Sequence, residues 1–159
     1  MGMDVYGNPA VIVGTEPKFP NNYRDLTEAE QDKYWAASNK YQKDNPGVYF
    51  RANVWGWRPI HMFMSNSCSN IYGEELDESM SYNNGKGIPK DLVEECADAM
   101  QKYLDSIKDT VPQYIEVIDG IEFLKPVEDP EWRDNYAVPL TRLQDWVDFV
   151  RNSNGFEVH

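Results

Sequence analysis

A chain of 159 residues has the usual size of one domain, and here 15 Lys and Arg stand against 27 Asp and Glu, a formal net charge of −12. Its 41% apolar content is modest, but 13% aromatic residues supply bulk for a core, so folding rather than disorder is expected. Negative charge without a Lys/Arg cluster argues against direct binding to nucleic acid or anionic membranes, and two cysteines are too few for a disulfide framework.

In chain order, Met3-Asp4-Val5-Tyr6 alternates apolar and polar residues before Gly7-Asn8-Pro9, which predicts a short strand closed by a turn. Ala10 to Val13 either extends that strand or forms a second one. The prolines and asparagines from Gly14 to Tyr23 predict a surface loop. Thr27 and Glu30 have the spacing of a capping box, so a helix is expected from about Glu28 to Tyr41, ended by Asn45-Pro46-Gly47. Most of its residues are polar, which places it on the surface.

Val48 to Gly56 is aromatic and irregular, and Arg58-Pro59 suggests the start of a second helix running toward Ile71. Glu74 to Met80 is an acidic stretch, and Ser81 to Gly87 has the composition of a loop. A long helix is predicted from Pro89 to about Lys108, because Leu92, Cys96, Ala99, Met100, Tyr103 and Ile107 recur at helical steps and form a core stripe. Tyr114–Ile118 and Ile121–Leu124 around Asp119-Gly120 read as a hairpin, with a short helix over Gln113 to Ile118 as the alternative. Glu128 to Tyr136 reads as a polar loop carrying Trp132. Thr141 and Gln144 repeat the capping-box spacing before a last helix, Asn154-Gly155 offers a left-handed exit, and Phe156 to Val158 reads as a final strand. The expected fold is α+β, with three to four helices packed on a small sheet of short strands in a single domain spanning residues 1–159.

Four segments taken together resemble a family of small uncharacterised proteins of bacteria and their phages. They are Met1-Gly2-Met3-Asp4-Val5-Tyr6-Gly7, the string from Tyr49 through Asn53-Val54-Trp55-Gly56-Trp57-Arg58-Pro59, the loop Tyr82 to Gly87, and the helix, glycine and strand from Trp146 to Val158. The chain departs from that pattern between Gly7 and Tyr49, where a helical segment at about 14–47 reads as an insertion. It departs again where Asn84 and Lys86 replace family aspartates, which weakens a carboxylate or metal role for the loop. The resemblance implies a bacterial or phage accessory protein and supplies no activity.

The candidate site residues are Asn53, Trp55, Trp57, Arg58, His61, Tyr82, Asn83, Asn84 and Gly85. Arginine beside tryptophan can stack and can offer a planar fork of donors to a carboxylate or phosphate, although the same indoles would serve equally as core plugs. The loop from Tyr82 to Gly87 precedes a predicted helix start but lacks the full spacing of a phosphate-binding loop. No nucleophile elbow or zinc spacing is present. Cys68 and Cys96, with only His61 and His159 to accompany them, are expected to be free thiols. No catalytic residue, metal or cofactor is therefore assigned.

No apolar run approaches the ~20 residues that cross a bilayer, and the N-terminus lacks the pattern of a secretory signal, so a cytoplasmic location is expected, that of the bacterial host cell if phage-encoded. The leading expectation is a non-enzymatic module that binds a host or phage protein. The alternatives are a small-ligand-binding protein or enzyme using Trp55–Arg58 with Asn83–Gly87, and an acidic mimic of DNA.

Overall fold

The computed structural model describes residues 2–125 and 136–159. Its strands are β1 (Gly2–Gly7), β2 (Tyr49–Asn53), β3 (Ile115–Ile118), β4 (Ile121–Leu124), β5 (Val138–Pro139) and β6 (Phe156–Val158). Its helices are α1 (Glu28–Asp44), α2 (Val54–Tyr72), α3 (Glu74–Met80), α4 (Val93–Asp105), α5 (Ile107–Thr110) and α6 (Leu140–Ser153). The α+β class holds, but the described residues form six helices and two three-stranded antiparallel sheets rather than three to four helices on one sheet. The loop expected from Glu128, with Trp132, lies almost wholly outside the described residues.

Alternation in β1 places it at the centre of the first sheet, in the order β2-β1-β6. Met3 pairs with Ala52, Val5 with Phe50 on one side and Val158 on the other, and all of these are buried on one face. Asp4, Tyr6, Tyr49 and Glu157 take the opposite face by the same two-residue period. The second sheet has the order β3-β4-β5. Its hairpin turns at Asp119 (φ 50°) and Gly120 (φ 77°), with Ile118 opposite Ile121, as the Asp-Gly signal predicts.

Helices α2, α4 and α6 supply most of the core against the inner face of the first sheet. Trp146 on α6 is fully buried, and its ring lies 5.0 Å from Phe50, 5.4 Å from Trp57 and 5.2 Å from Phe156. These near-perpendicular and tilted ring pairs bind the helix layer to the sheet.

Several boundaries differ from expectation for local reasons. α2 begins at Val54, because the Asn53 side chain caps it by accepting from the Gly56 N–H at 2.8 Å; Pro59 sits inside the helix at the cost of one ladder hydrogen bond. Ala10 to Val13 is not a strand. Instead the buried Asn45 side chain accepts from the Val13 N–H and donates to the Val13 carbonyl, pinning that loop to the end of α1. Residues 74–80 form a helix of their own.

The long helix expected from Pro89 starts at Val93 and breaks at Ser106, although the stripe of Cys96, Met100 and Ile107 is buried as expected. The first capping box is real, with Thr27 and Glu30 bonded reciprocally. The second does not form: Pro139 occupies the N-cap of α6, and Gln144 is taken by a paired amide contact with Gln101. A short helix over Gln113 to Ile118 is likewise replaced by a 3-10 turn at Pro112–Tyr114 followed by β3.

Candidate functional site

Helical geometry sorts the aromatic segment. Residues two apart on a helix point to nearly opposite sides, so Trp55 and Trp57 cannot share one environment. Trp55 is 41% exposed, whereas Trp57 is 2% exposed and donates its indole N–H to the Met80 carbonyl at 3.0 Å. Asn53 is occupied as the cap of α2. The exposed Arg58 guanidinium lies over the Tyr136 ring at 5.0 Å, and Trp55 meets the same ring edge-on at 5.2 Å.

Three residues after Arg58, His61 lies on the same side of α2. Its Nε2 is 2.7 Å from the Asp77 carbonyl, so Nε2 carries a proton and donates. The Asp77 carboxylate accepts from Ser65 at 2.6 and 2.8 Å and from the Tyr72 hydroxyl at 2.5 Å. Burial first, and then the bond to Asp77, pushes the Tyr72 hydroxyl far above its ordinary pKa and keeps it a donor. α3 is thereby clamped against α2.

Trp57, Arg58 and His61 form one cleft with Ser81 and Tyr82, with a volume of about 340 Å³. Trp55 and Asn53 line a separate cleft with Arg51 and Arg142. The rest of the loop goes elsewhere. Asn83 and Asn84 are exposed, and the Asn84 side chain accepts from the Lys86 N–H.

Gly85, Lys86 and Ile88 run along the open side of β6, with the Gly85 N–H on the Val158 carbonyl at 2.8 Å, the Val158 N–H on the Lys86 carbonyl at 3.0 Å and the Phe156 N–H on the Ile88 carbonyl at 3.1 Å. Gly87 permits this approach, since a Cβ there would stand 1.8 Å from the Phe156 carbonyl oxygen. The structure brings Trp57, Arg58, His61 and Tyr82 together. Trp55 and Asn53 line the neighbouring cleft, Trp55 meeting the Tyr136 ring that Arg58 also covers, and Gly85 belongs to a sheet edge.

A second constellation lies in the segment between β1 and β2, and the sequence pattern did not single it out. Phe19 stacks on Tyr23 at 4.9 Å and meets Tyr34 edge-on at 5.4 Å, while Tyr34 meets Trp35 at 5.1 Å. The Trp35 indole donates to the Tyr23 hydroxyl at 2.7 Å. None of the 17 residues of α1 is buried, and Phe19 and Trp35 remain 56% and 46% exposed. The available signal was the adjacent pair Tyr34-Trp35 on a helix read as superficial; what spacing does not show is that Phe19 and Tyr23 fold back onto it.

Cys68 and Cys96 are free, buried thiols on α2 and α4, as expected. Among the described residues no group of three or more His, Cys, Asp or Glu is arranged to hold a metal ion, and no helix is long and apolar enough to cross a membrane. Compared with protein-family models, curated proteins and solved structures, the chain finds no match.

Proposed function

We propose that this protein is a non-enzymatic binding module whose contact surface is the ring cluster Phe19–Tyr23–Tyr34–Trp35, and that its partner presents a basic protein face. The observation that carries this reading is four mutually packed aromatic rings standing outside the core. Exposed rings held by one another lose little conformational freedom on binding, and aromatic anchors supply much of the energy of an interface. Glu28, Asp32 and Trp35 fall on one stripe of α1 at four- and three-residue steps, all three exposed, so two carboxylates precede the indole on its own face. Those carboxylates, in a chain of net charge −12, favour a cationic partner by steering and by pairing at the rim. The resemblance to bacterial and phage proteins suggests a host or phage protein as that partner.

Affinity capture with three baits tests it: the wild type, the double variant Phe19→Ser/Trp35→Ala, and the charge reversal Glu28→Lys/Asp32→Lys. A basic protein retained by the wild type and lost from both folded variants is the expected result. Identical capture by all three would refute the reading.

The cleft of Trp57, Arg58, His61 and Tyr82 supports a second reading, in which Arg58 holds the carboxylate or phosphate of a small ligand. It ranks second because the Asp77 carboxylate, 3.5 Å from His61 Nε2, opposes an anion there. Arg58→Ala should abolish any ligand-dependent rise in melting temperature while leaving the fold intact; a rise that survives the substitution excludes Arg58 as the anchor.

A further inference from the structure

We infer that the outer edge of β3 is the seam of a homodimer, formed when β3 pairs antiparallel with β3 of a second copy. The two residues flanking a two-residue turn form a hydrogen-bonded pair, so Ile118 bonds to Ile121 and, by alternation, Glu116 bonds to Phe123. The N–H and C=O groups of Ile115 and Val117 therefore point away from β4, along an edge that carries no further strand among the described residues. Such an edge is a template for another strand unless proline, lysine or a covering element blunts it, and the sequence Ile-Glu-Val-Ile has neither proline nor lysine.

The hairpin also leaves apolar side chains in water on both of its faces. Register and alternation put Val117 on one face and Ile118 with Ile121 on the other, and these are 63%, 40% and 49% exposed.

Local charge selects a second copy as the occupant. Two chains of net charge −12 repel, so a seam between them has to lie where charge is cancelled. Each carboxylate in the hairpin strands lies against a lysine: Glu116 is 3.0 Å from Lys125, and Glu122 is 2.9 Å from Lys108. A basic partner gains little from carboxylates already paired, whereas an identical neutral, aliphatic edge meets no repulsion there. Pairing centred on Val117 sets it against the partner's Val117 with mutual backbone bonds and places Glu116 opposite an isoleucine. The alternative centre, on Glu116, would set like charges face to face.

Sedimentation of the intact chain at concentrations up to about 1 mM tests the seam, that being the weakest dissociation constant worth resolving. The mass should rise from 18.4 kDa toward twice that value, and added salt should favour the dimer by screening repulsion between the copies. Val117→Pro removes an outward N–H that the hairpin itself does not use, and Val117→Lys keeps that N–H but sets two ammonium groups together. Each should weaken association about tenfold or more, the cost of one lost hydrogen-bond set or of one like-charge pair introduced at a small seam. A wild type that stays at monomer mass throughout, a dimer that salt dissociates, or two folded variants that associate as tightly as the wild type would each overturn the inference.

Discussion

The two fully enclosed indoles differ in one atom's surroundings. The N–H of Trp57 is bonded to the Met80 carbonyl, and that of Trp146 has no acceptor among the described residues, its ring standing at 89° to Trp57 and 68° to Phe50. Replacing either by phenylalanine removes similar bulk, but only Trp57→Phe strands a buried carbonyl. Trp57→Phe should therefore cost about 1–2 kcal/mol more than Trp146→Phe in urea unfolding, the penalty of an unsatisfied buried acceptor. Equal costs would show that the Met80 carbonyl finds water instead. Glycine gives a second contrast. An added Cβ at Gly87 collides with backbone at 1.8 Å, whereas Gly120 has open space and only its φ of 77° to resist a side chain. Gly87→Ala is expected to cost about 3 kcal/mol and to loosen β6, and Gly120→Ala about 1 kcal/mol, the strain of a left-handed residue.

At the scale of elements, α1 is the helix most open to local unfolding, since none of its residues is fully buried and it is held by its caps, its ion pair and the half-buried rings it shares with Phe19 and Tyr23. Its Glu30 carboxyl is held below the usual carboxylate pKa by the backbone N–H and then the hydroxyl of Thr27. A depressed folded-state pKa contributes stability above the ordinary carboxylate value and loses it as pH falls through the lowered one. Protection of the α1 amides, taken relative to the intrinsic exchange rate at each pH, should therefore be lower than that of α2, α4 and α6 and should fall further in acid. Thr27→Ala should raise α1 exchange at neutral pH and blunt the acid response; unchanged protection and an unchanged acid profile would contradict the role given to this cap.

The same helix shows what the sequence made legible. Where a signal is local and self-sufficient it can be read directly: the reciprocal Thr27–Glu30 cap, the Asp119-Gly120 turn, and Asn154 in its left-handed exit at φ 56°. Where a distant residue competes, it cannot. Gln144 is drawn to Gln101, and β2 runs straight into α2 through Asn53, which hides the helix start behind the stronger proline signal at Pro59. The candidate site was readable to the same extent. Trp57, Arg58 and His61 follow one another on a helix and stay together, but Gly85 to Gly87 are claimed by β6, a strand some 70 residues later in the chain.

For the whole molecule, charge is the term that ordinary solution conditions can change. Lys40–Asp44, Lys108–Glu122, Lys125–Glu116, Arg142–Asp145 and Arg151–Asp98 form ion pairs on several faces, and most of these groups are substantially exposed. Exposed pairs contribute about 0–1 kcal/mol each, and salt screens them. Against them stands the mutual repulsion of a −12 chain, which opposes compaction and is screened by the same ions. The Debye length shrinks from about 30 Å at 0.01 M to about 10 Å at 0.1 M salt, so repulsion between distant carboxylates fades before pairs in direct contact do. Raising salt through that range should therefore raise the melting temperature, and the gain should level off at higher salt once only contact pairs remain to be weakened. A melting temperature that falls steadily from the lowest salt upward would mean that the ion pairs, not the excess of carboxylates, govern the stability of the fold.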